Sequence, residues 1–313
     1  MNAVRQITWP DGKRFAFTVF DDTDLTTLRN GPEVYRFLHD IGVITTKSVW
    51  PVKGNDAPVY GGTTCADPDY VAWVRRLAEQ GFEIAYHNAT FHSSERAQAV
   101  AGLETFRSLF GSYPRSHANH AGCTDSLYWG ADRVSGANRL AYNLLTGFKF
   151  RSRFQGTNET SPFFWGDKCR EHIAYVRNFV FAEMNTLAAC PAMPYHDAQR
   201  PYVNYWFASS EGQYCRTFCK TIADAHQDRL EEQGGACIMY THFGREDYLQ
   251  HGKLNPEFVR LMERLARRNG WFVPVSTLLD HLLKVRGHHV ITDAERDRLE
   301  RRWLREKIMR GTS

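Results

Sequence analysis

The chain has 313 residues, of which 42% are hydrophobic and 24% are charged, so extended disorder and fibrous architectures are excluded. Its 39 Lys and Arg residues against 35 Asp and Glu give a net charge of +4, too small to indicate a nucleic-acid partner. There is no apolar run of about eighteen residues that would predict a membrane span. The N-terminal residues show no apolar core of a signal peptide, and the seven cysteines are scattered. We therefore expect a cytoplasmic protein with reduced thiols.

The first third of the chain predicts strands that alternate with helices. Residues 14–20 are apolar and partly β-branched and end at Asp21-Asp22, and residues 82–86 form a similar run that ends at His87. Segments with apolar residues at helical spacing lie between them, each followed by glycine or a turn. We predict strands over 14–20, 43–49 and 82–86, and helices over 32–41, 70–80 and 94–110.

The rest of the chain predicts further units of this kind, although residues 124–177 show no long period. We predict strands over 173–181, 236–240 and 272–275, and helices over 211–232, 254–269, 277–285 and 292–310. The alternation indicates an α/β protein with a parallel sheet or barrel. Composition does not change sharply along the chain, so we expect one domain over 1–290 and a C-terminal amphipathic helix over 291–313.

Three predicted strands end in side chains suited to metal-dependent hydrolysis. They are followed by Asp21-Asp22, by His87 with His92, and by His242. Strands of an α/β barrel present their carboxyl ends at one mouth, where separated motifs can converge. One carboxylate and two imidazoles make a three-ligand site for zinc or a similar divalent ion, with a position left for water. A second carboxylate can then act as base, and another His as acid.

The order of these motifs resembles the polysaccharide deacetylase (NodB-homology) family of carbohydrate esterases. Residues 18–22, TVFDD, resemble the family's TFDD motif, and residues 81–92, GFEIAYHNATFH, resemble its "GxEI" strand followed by paired His. Residues 238–242, IMYTH, resemble its late strand ending in His, and residues 271–283 resemble its terminal strand and helix. The resemblance covers about residues 10–285 and keeps the order of all four motifs.

This resemblance implies a distorted, incomplete (β/α) barrel with fewer than eight complete units. It also implies one divalent metal ion, with zinc as the first candidate, and hydrolysis of an acyl group, usually N-acetyl, from a sugar. Asp21 resembles the base, Asp22, His87 and His92 resemble the metal ligands, and His242 resembles the acid. The expected partner is a carbohydrate or other small-molecule substrate. Whether the chain forms a homo-oligomer is left open.

Three departures from the family pattern leave alternatives open. The His pair is spaced by five rather than four, so the segment is a loop or bulge, or one His is not a ligand. Thr23 replaces the usual Gly, and Asp24 can replace Asp22 as ligand or bind substrate. The family's third motif is missing together with its base-orienting Arg. Candidates for that place are Asn119, His120 and Arg115.

A later segment resembles the aromatic and acidic motif that walls the pocket of the family. It lies in SPFFWGDKC over 161–169, where Trp165 and Asp167 are the candidates. Two other classes of function also stay open. One is a carbohydrate-binding barrel without turnover. The other is a glycosidase with two carboxylates, for which Asp21 with Asp167 or Glu183 are the candidates.

Overall fold

The computed structural model describes residues 7–55 and 60–312. Its strands are β1 (Phe15–Asp21), β2 (Thr46–Val49), β3 (Glu83–Tyr86), β4 (Ser116–His117), β5 (Tyr175–Phe181), β6 (Tyr195–His196), β7 (Tyr205–Ser210), β8 (Ala236–Thr241), β9 (Leu249–Gln250), β10 (Lys253–Leu254), β11 (Gly270–Phe272) and β12 (His289–Val290). Its α-helices are α1 (Gly31–Asp40), α2 (Pro68–Glu79), α3 (Arg96–Phe110), α4 (Gly136–Leu145), α5 (Gly166–His172), α6 (Thr186–Ala189), α7 (Cys215–Thr221), α8 (Asp224–Glu232), α9 (Pro256–Ala266), α10 (Val275–Arg286) and α11 (Asp293–Arg310).

Seven parallel strands close into a ring in the order β1-β2-β3-β4-β5-β7-β8, and β8 pairs back with β1. One edge of β1 pairs with β8, and the other edge is shared by two strands. On that second edge the first three residues of β1 pair with β11, and the last two pair with β2. The strand pairing confirms the predicted α/β barrel with fewer than eight units. Because the ring is parallel, the carboxyl ends of all seven strands lie at one end of the barrel.

The strands β1 and β8 are buried on both faces, which is why they read as apolar runs rather than as alternating patterns. All seven residues of β1 and all six of β8 are buried. Asp21 pairs with Thr241 in the register of these strands, and the Asp22 amide donates to the Thr241 carbonyl over 2.8 Å. The first and last polar motifs of the sequence are therefore adjacent.

Helix boundaries follow local chemistry. Asp67 caps α2 by accepting hydrogen bonds from two backbone amides, and Pro68 occupies its first turn. Thr292 and Glu295 form a reciprocal capping box at the start of α11. The Thr292 cap lies where the sequence predicted the last helix to begin.

Two sequence predictions about elements are wrong, and two helices were not predicted. Residues 211–232 are not one helix, since α7 and α8 are separated at Ile222 and Ala223. The strand predicted over 272–275 lies earlier, because Pro274 is the N-cap of α10. Residues 124–177, which show no long period, contain α4 and α5. Helix α4 gives no core-facing pattern because Leu140 and Leu144 on it are exposed.

The helix α11 is part of the barrel's packing. Trp303 is fully buried against the barrel, and α11 contacts both α4 and β5. Arg296 Nη2 lies 2.8 Å from Asp197 Oδ1, and both side chains are buried. No helix within residues 7–55 and 60–312 is long and apolar enough to cross a membrane.

Candidate metal centre

Asp24, His87 and His120 form a buried group at the carboxyl end of the barrel, with ligand atoms within 4.8 Å of one another. His87 Nε2 lies 3.1 Å from Asp24 Oδ2 and 3.2 Å from His120 Nδ1. His120 Nδ1 also lies 3.2 Å from Asp24 Oδ1. The carboxylate of Asp24 and the two imidazole nitrogens thus form a triangle, in which a different carboxylate oxygen faces each imidazole.

The tautomer of His87 is set by its second nitrogen. His87 directly follows β3, and its Nδ1 lies 2.8 Å from the carbonyl of Ala118, which directly follows β4. A carbonyl only accepts hydrogen bonds, so Nδ1 carries the proton and donates it. The lone pair of neutral His87 is therefore on Nε2, the atom that belongs to the triangle.

Asn88 holds the loop that carries His120. Its φ of 63° is left-handed, a conformation that Asn tolerates better than most residues. Asn88 Oδ1 accepts from the His120 amide over 3.1 Å, and Asn88 Nδ2 donates to Asp125 Oδ2 over 2.8 Å. Burial raises the pKa of Asp125 to about 6. The loop after β4 is thereby fixed to the end of β3, which brings the two imidazoles together.

The three donors fit a divalent cation such as zinc. Zinc binds His nitrogen and carboxylate oxygen at about 2.0–2.1 Å, and tetrahedral geometry then separates neighbouring ligand atoms by about 3.3 Å. The separation of 3.2 Å between the two imidazole nitrogens is close to this value, and each nitrogen lies 3.1 or 3.2 Å from one of the two Asp24 oxygens. Burial raises the pKa of Asp24, but His120 and the other imidazoles outweigh burial, so the pKa of Asp24 lies well below its usual range.

A second group, Asp22 with Asp24 and His242, also has ligand atoms within 4.8 Å. It is less suited to a cation because Arg177 binds both oxygens of Asp22, at 2.8 and 2.6 Å. Burial raises the pKa of Asp22, but the Arg177 charge and bonds outweigh it and the pKa is lowered. Asp22 is therefore an ionised carboxylate with a fixed orientation beside the triangle.

His242 also approaches Asp24, at the same oxygen as His87. Its Nδ1 lies 3.1 Å from the Gln213 carbonyl and therefore donates a proton to it. Its Nε2 lies 3.5 Å from Asp24 Oδ2. The side chain is 12% exposed, more than Asp22 or His87, so this imidazole can meet a ligand that enters from solvent.

Asp21 lies outside both groups and is fully buried. Its Oδ2 is 3.1 Å from Lys47 Nζ and accepts from the Tyr35 hydroxyl over 2.8 Å. Its Oδ1 accepts from the Phe243 amide over 2.7 Å. Both carboxylate oxygens are thus engaged by the barrel interior, an arrangement that ties β1 to β2, α1 and the loop after β8.

A small cavity of about 50 Å³ opens beside these groups. Its lining combines the polar side chains of the centre with aromatic and small residues. The lining residues are Asp22, Asp24, His87, Asn119, Ala121, Trp129, Arg177, Val180, Tyr240 and His242.

Four other residues singled out from the sequence have different surroundings. His92 lies in the loop after β3 with its Nδ1 3.0 Å from the Ser93 carbonyl, and it is absent from both groups. Asn119 borders the cavity but its amide binds both backbone groups of Leu127. Trp165 is buried and donates to the Asp125 carbonyl over 2.7 Å. Asp167 forms a half-exposed pair with Arg96, at 2.7 Å.

The two remaining candidates lie away from the cavity lining. Arg115 pairs with Asp280 at 2.6 Å, with both side chains about half exposed. Glu183 pairs with Arg302 on α11. Neither Asp167 nor Glu183 lines the cavity beside Asp22.

Sequence reasoning missed Arg177 and Lys47, which contact the two adjacent aspartates. Each is a charged residue inside a barrel strand, and each is almost completely buried. Arg and Lys are rarely buried without a charged partner. A basic residue within a predicted barrel strand is therefore a signal for a buried acidic partner, and residues 173–181 and 43–49 each carry one.

A scan against models of protein families finds no match, and neither does a search of curated proteins. Similar solved structures include a "putative polysaccharide deacetylase" from Mycobacterium smegmatis, with 16% identity, a TM-score of 0.49 and coverage of 92% of this chain and 96% of that chain. The Puue allantoinase has 11% identity, a TM-score of 0.49 and coverage of 89% and 93%. The Bc1960 peptidoglycan N-acetylglucosamine deacetylase has 14% identity, a TM-score of 0.40 and coverage of 88% and 92%. The barrel itself is established by its strand pairing, and the family that the motifs resemble is represented among these similar structures.

Proposed function

We propose that this chain is a metal-dependent hydrolase that removes a short acyl group, acetyl first of all, from a sugar or another small amide. The observation that carries the proposal is the triangle of Asp24, His87 and His120, next to the fixed carboxylate of Asp22. A divalent cation held by the triangle would supply Lewis acidity and lower the pKa of water. The other functions needed for hydrolysis fall to side chains of the chain itself.

Asp22 is proposed as the base. It lines the cavity, its lowered pKa keeps it ionised at neutral pH, and Arg177 fixes its orientation. It can accept a proton from the attacking water as the oxygen–carbon bond forms. In this proposal Asp22 takes the role that the motif resemblance gave to Asp21, and Asp24 takes the ligand role.

His242 is proposed as the acid. An amide nitrogen leaves as an amine only if it gains a proton, because an amide anion is a very poor leaving group. With Nδ1 bound to the Gln213 carbonyl, the Nε2 atom of protonated His242 is the one that can give its proton to this nitrogen. The carbon–nitrogen bond then breaks, and a carboxylate and an amine are the products.

The size of the cavity supports a short acyl group. The cavity at the centre is small, about 50 Å³, and it lies directly beside Asp22, Asp24 and His242. An acetyl group fits this volume better than a longer chain does. Trp129, which lines the cavity and is partly exposed, offers ring surface against which the rest of a carbohydrate can pack.

The test compares two identical His substitutions. We expect about one divalent ion per chain, by elemental mass spectrometry, in the wild type and in His92→Asn, and loss of the ion in His120→Asn. Amine release from N-acetylated sugars should follow the metal content. Hydrolysis that persists after complete chelation, or metal loss in His92→Asn alone, would contradict the proposal. Metal and sugar binding without any amine release would favour the binding barrel instead.

A further inference from the structure

A second cavity, of about 620 Å³, shares no lining residue with the cavity at the metal centre. It lies between the segment 189–194, the end of α10, the turn that follows it, and one face of α11. Pockets for small molecules usually have volumes of about 300–1,000 Å³ and are mostly apolar with a few polar groups. This cavity has the size of a ligand site.

The walls of this cavity are largely apolar. They are formed by side chains that also contribute to the hydrophobic core, and several of them are almost completely buried. The main apolar contributors are Pro191, Met193, Leu282, Ile291 and Leu299. A ligand with an apolar body would therefore displace water from hydrophobic surface on binding.

The polar part of the lining carries more positive than negative charge, with Arg286, Arg298 and Arg302 against Glu295. Arg286 is half-buried, and its Nη1 donates to the carbonyls of Pro191 and Met193, at 2.8 and 3.5 Å. No carboxylate in residues 7–55 and 60–312 forms an ion pair with Arg286, and burial lowers its pKa. The two carbonyls fix the guanidinium at the cavity while leaving N–H groups on its other nitrogens unused.

The other charged groups of the lining do not neutralise Arg286. Glu295 is already engaged by Thr292 and by His289. Arg302 is paired with Glu183 and Glu306. Arg298 is exposed at the rim and forms no ion pair within the described part of the chain. Two guanidinium groups thus remain available to an anion.

We propose that this cavity binds a small amphiphilic anion, with its carboxylate or phosphate group on Arg286 and its apolar body against Leu282 and Leu299. A guanidinium suits both headgroups because its parallel N–H bonds match two oxygens of either. Arg298 at the rim adds a second positive charge near the headgroup. This site is independent of the proposed hydrolase activity.

The test uses the full chain and three probes that share a ten-carbon tail and differ only in headgroup: undecanoate, decyl phosphate and decan-1-ol. Binding is measured by isothermal titration calorimetry. We expect both anions to bind at least tenfold more tightly than the alcohol, and the better of the two identifies the headgroup. Arg286→Met, which keeps an apolar stem, should weaken anion binding at least tenfold and leave the alcohol within twofold.

Two further variants keep the test decisive. Lys284→Met removes an exposed charge from the same helix outside the cavity lining and should leave binding within twofold. Ala192→Phe fills the cavity and should abolish binding of all three probes. If Arg286→Met does not fold, Arg298→Met replaces it and should weaken anion binding about threefold. Equal binding of alcohol and anions, or no binding of any probe, would overturn the proposal.

Discussion

Arg177 on β5 donates to both carboxylate oxygens of Asp22, which follows β1, although the two strands are not neighbours in the barrel. The pair therefore connects two walls of the barrel. Because both side chains are buried, it lies in a region of low dielectric. A single hydrogen-bonded pair thus fixes the distance between opposite walls at the centre. Its geometry determines where the proposed base points.

Substitution of Arg177 by Lys should separate orientation from charge. Lys keeps the positive charge but cannot bind two oxygens in parallel, so Asp22 loses its fixed orientation. We expect kcat for amide hydrolysis to fall about 100-fold, with metal content unchanged, as small misplacements of reacting groups commonly produce. Unchanged kcat in a folded variant, or loss of metal, would remove the positioning role of Arg177.

The two carboxylates at the centre should respond differently to the same change. Asp24→Asn removes a charged ligand and should lower the bound metal to well below one ion per chain. Asp22→Asn should retain the metal and lose most of the rate, because an amide cannot accept the proton of water. Elemental analysis and amine release on both variants provide the measurement. If only Asp22→Asn lost the metal, Asp22 would be the ligand and Asp24 would be the base.

The buried pair of Asp21 and Lys47 should contribute to stability rather than to metal binding. Lys47→Met leaves the Asp21 carboxylate buried without its cation, which typically destabilises by about 3–5 kcal/mol. Urea unfolding of Lys47→Met, Asp21→Asn and the double variant measures the coupling. We expect the double variant to be more stable than Lys47→Met alone, with metal content kept in all folded variants. Additive losses would show that the pair is not coupled.

The stability contribution of Asp197 should depend on pH. Burial raises its pKa, but Arg296 and Arg200 outweigh burial, so the pKa in the folded chain is below its ordinary value of 3.8. A group with a depressed pKa stabilises the fold above the unfolded-state pKa and loses that effect as pH falls through the folded-state value. The difference in unfolding free energy between wild type and Asp197→Asn should therefore be constant from about pH 7 to pH 5 and shrink below about pH 4.

Asp293 provides the matched control for Asp197. It contacts the same Arg296, but its side chain is 86% exposed. Exposed ion pairs contribute about 0–1 kcal/mol, so Asp293→Asn should change the unfolding free energy little at any pH. A large, pH-independent effect of Asp197→Asn would instead indicate lost packing or hydrogen bonding rather than lost charge.

The barrel was predictable where strands are long and buried on both faces. β1 and β8 have six or seven consecutive buried residues, so their apolar runs and the polar residues that end them stand out in the sequence. β4 has only two residues, and no periodic signal marks it. His120, which follows it, was therefore considered only as a replacement for a missing Arg, although its imidazole lies in the triangle.

The partners of the centre were less predictable because they depend on long-range packing. The pairing of Arg177 with Asp22 joins residues 155 positions apart and leaves no local pattern. The spacing of five between His87 and His92 left open whether both are ligands. In the structure His92 Nδ1 lies 3.0 Å from the Ser93 carbonyl, and its ring contacts Phe91. The segment 124–177 was hard to read because exposed leucines on α4 do not follow a core-facing period.

The position of α11 has a consequence for how the chain is made. Arg296 and Glu300 lie on α11 and bind Asp197 and Arg200, which belong to a much earlier part of the chain. During synthesis Asp197 and Arg200 leave the ribosome before their partners on α11 do, so these ion pairs form last. We therefore expect the nascent barrel to stay loosely closed, and accessible to chaperones, until α11 has emerged from the exit tunnel.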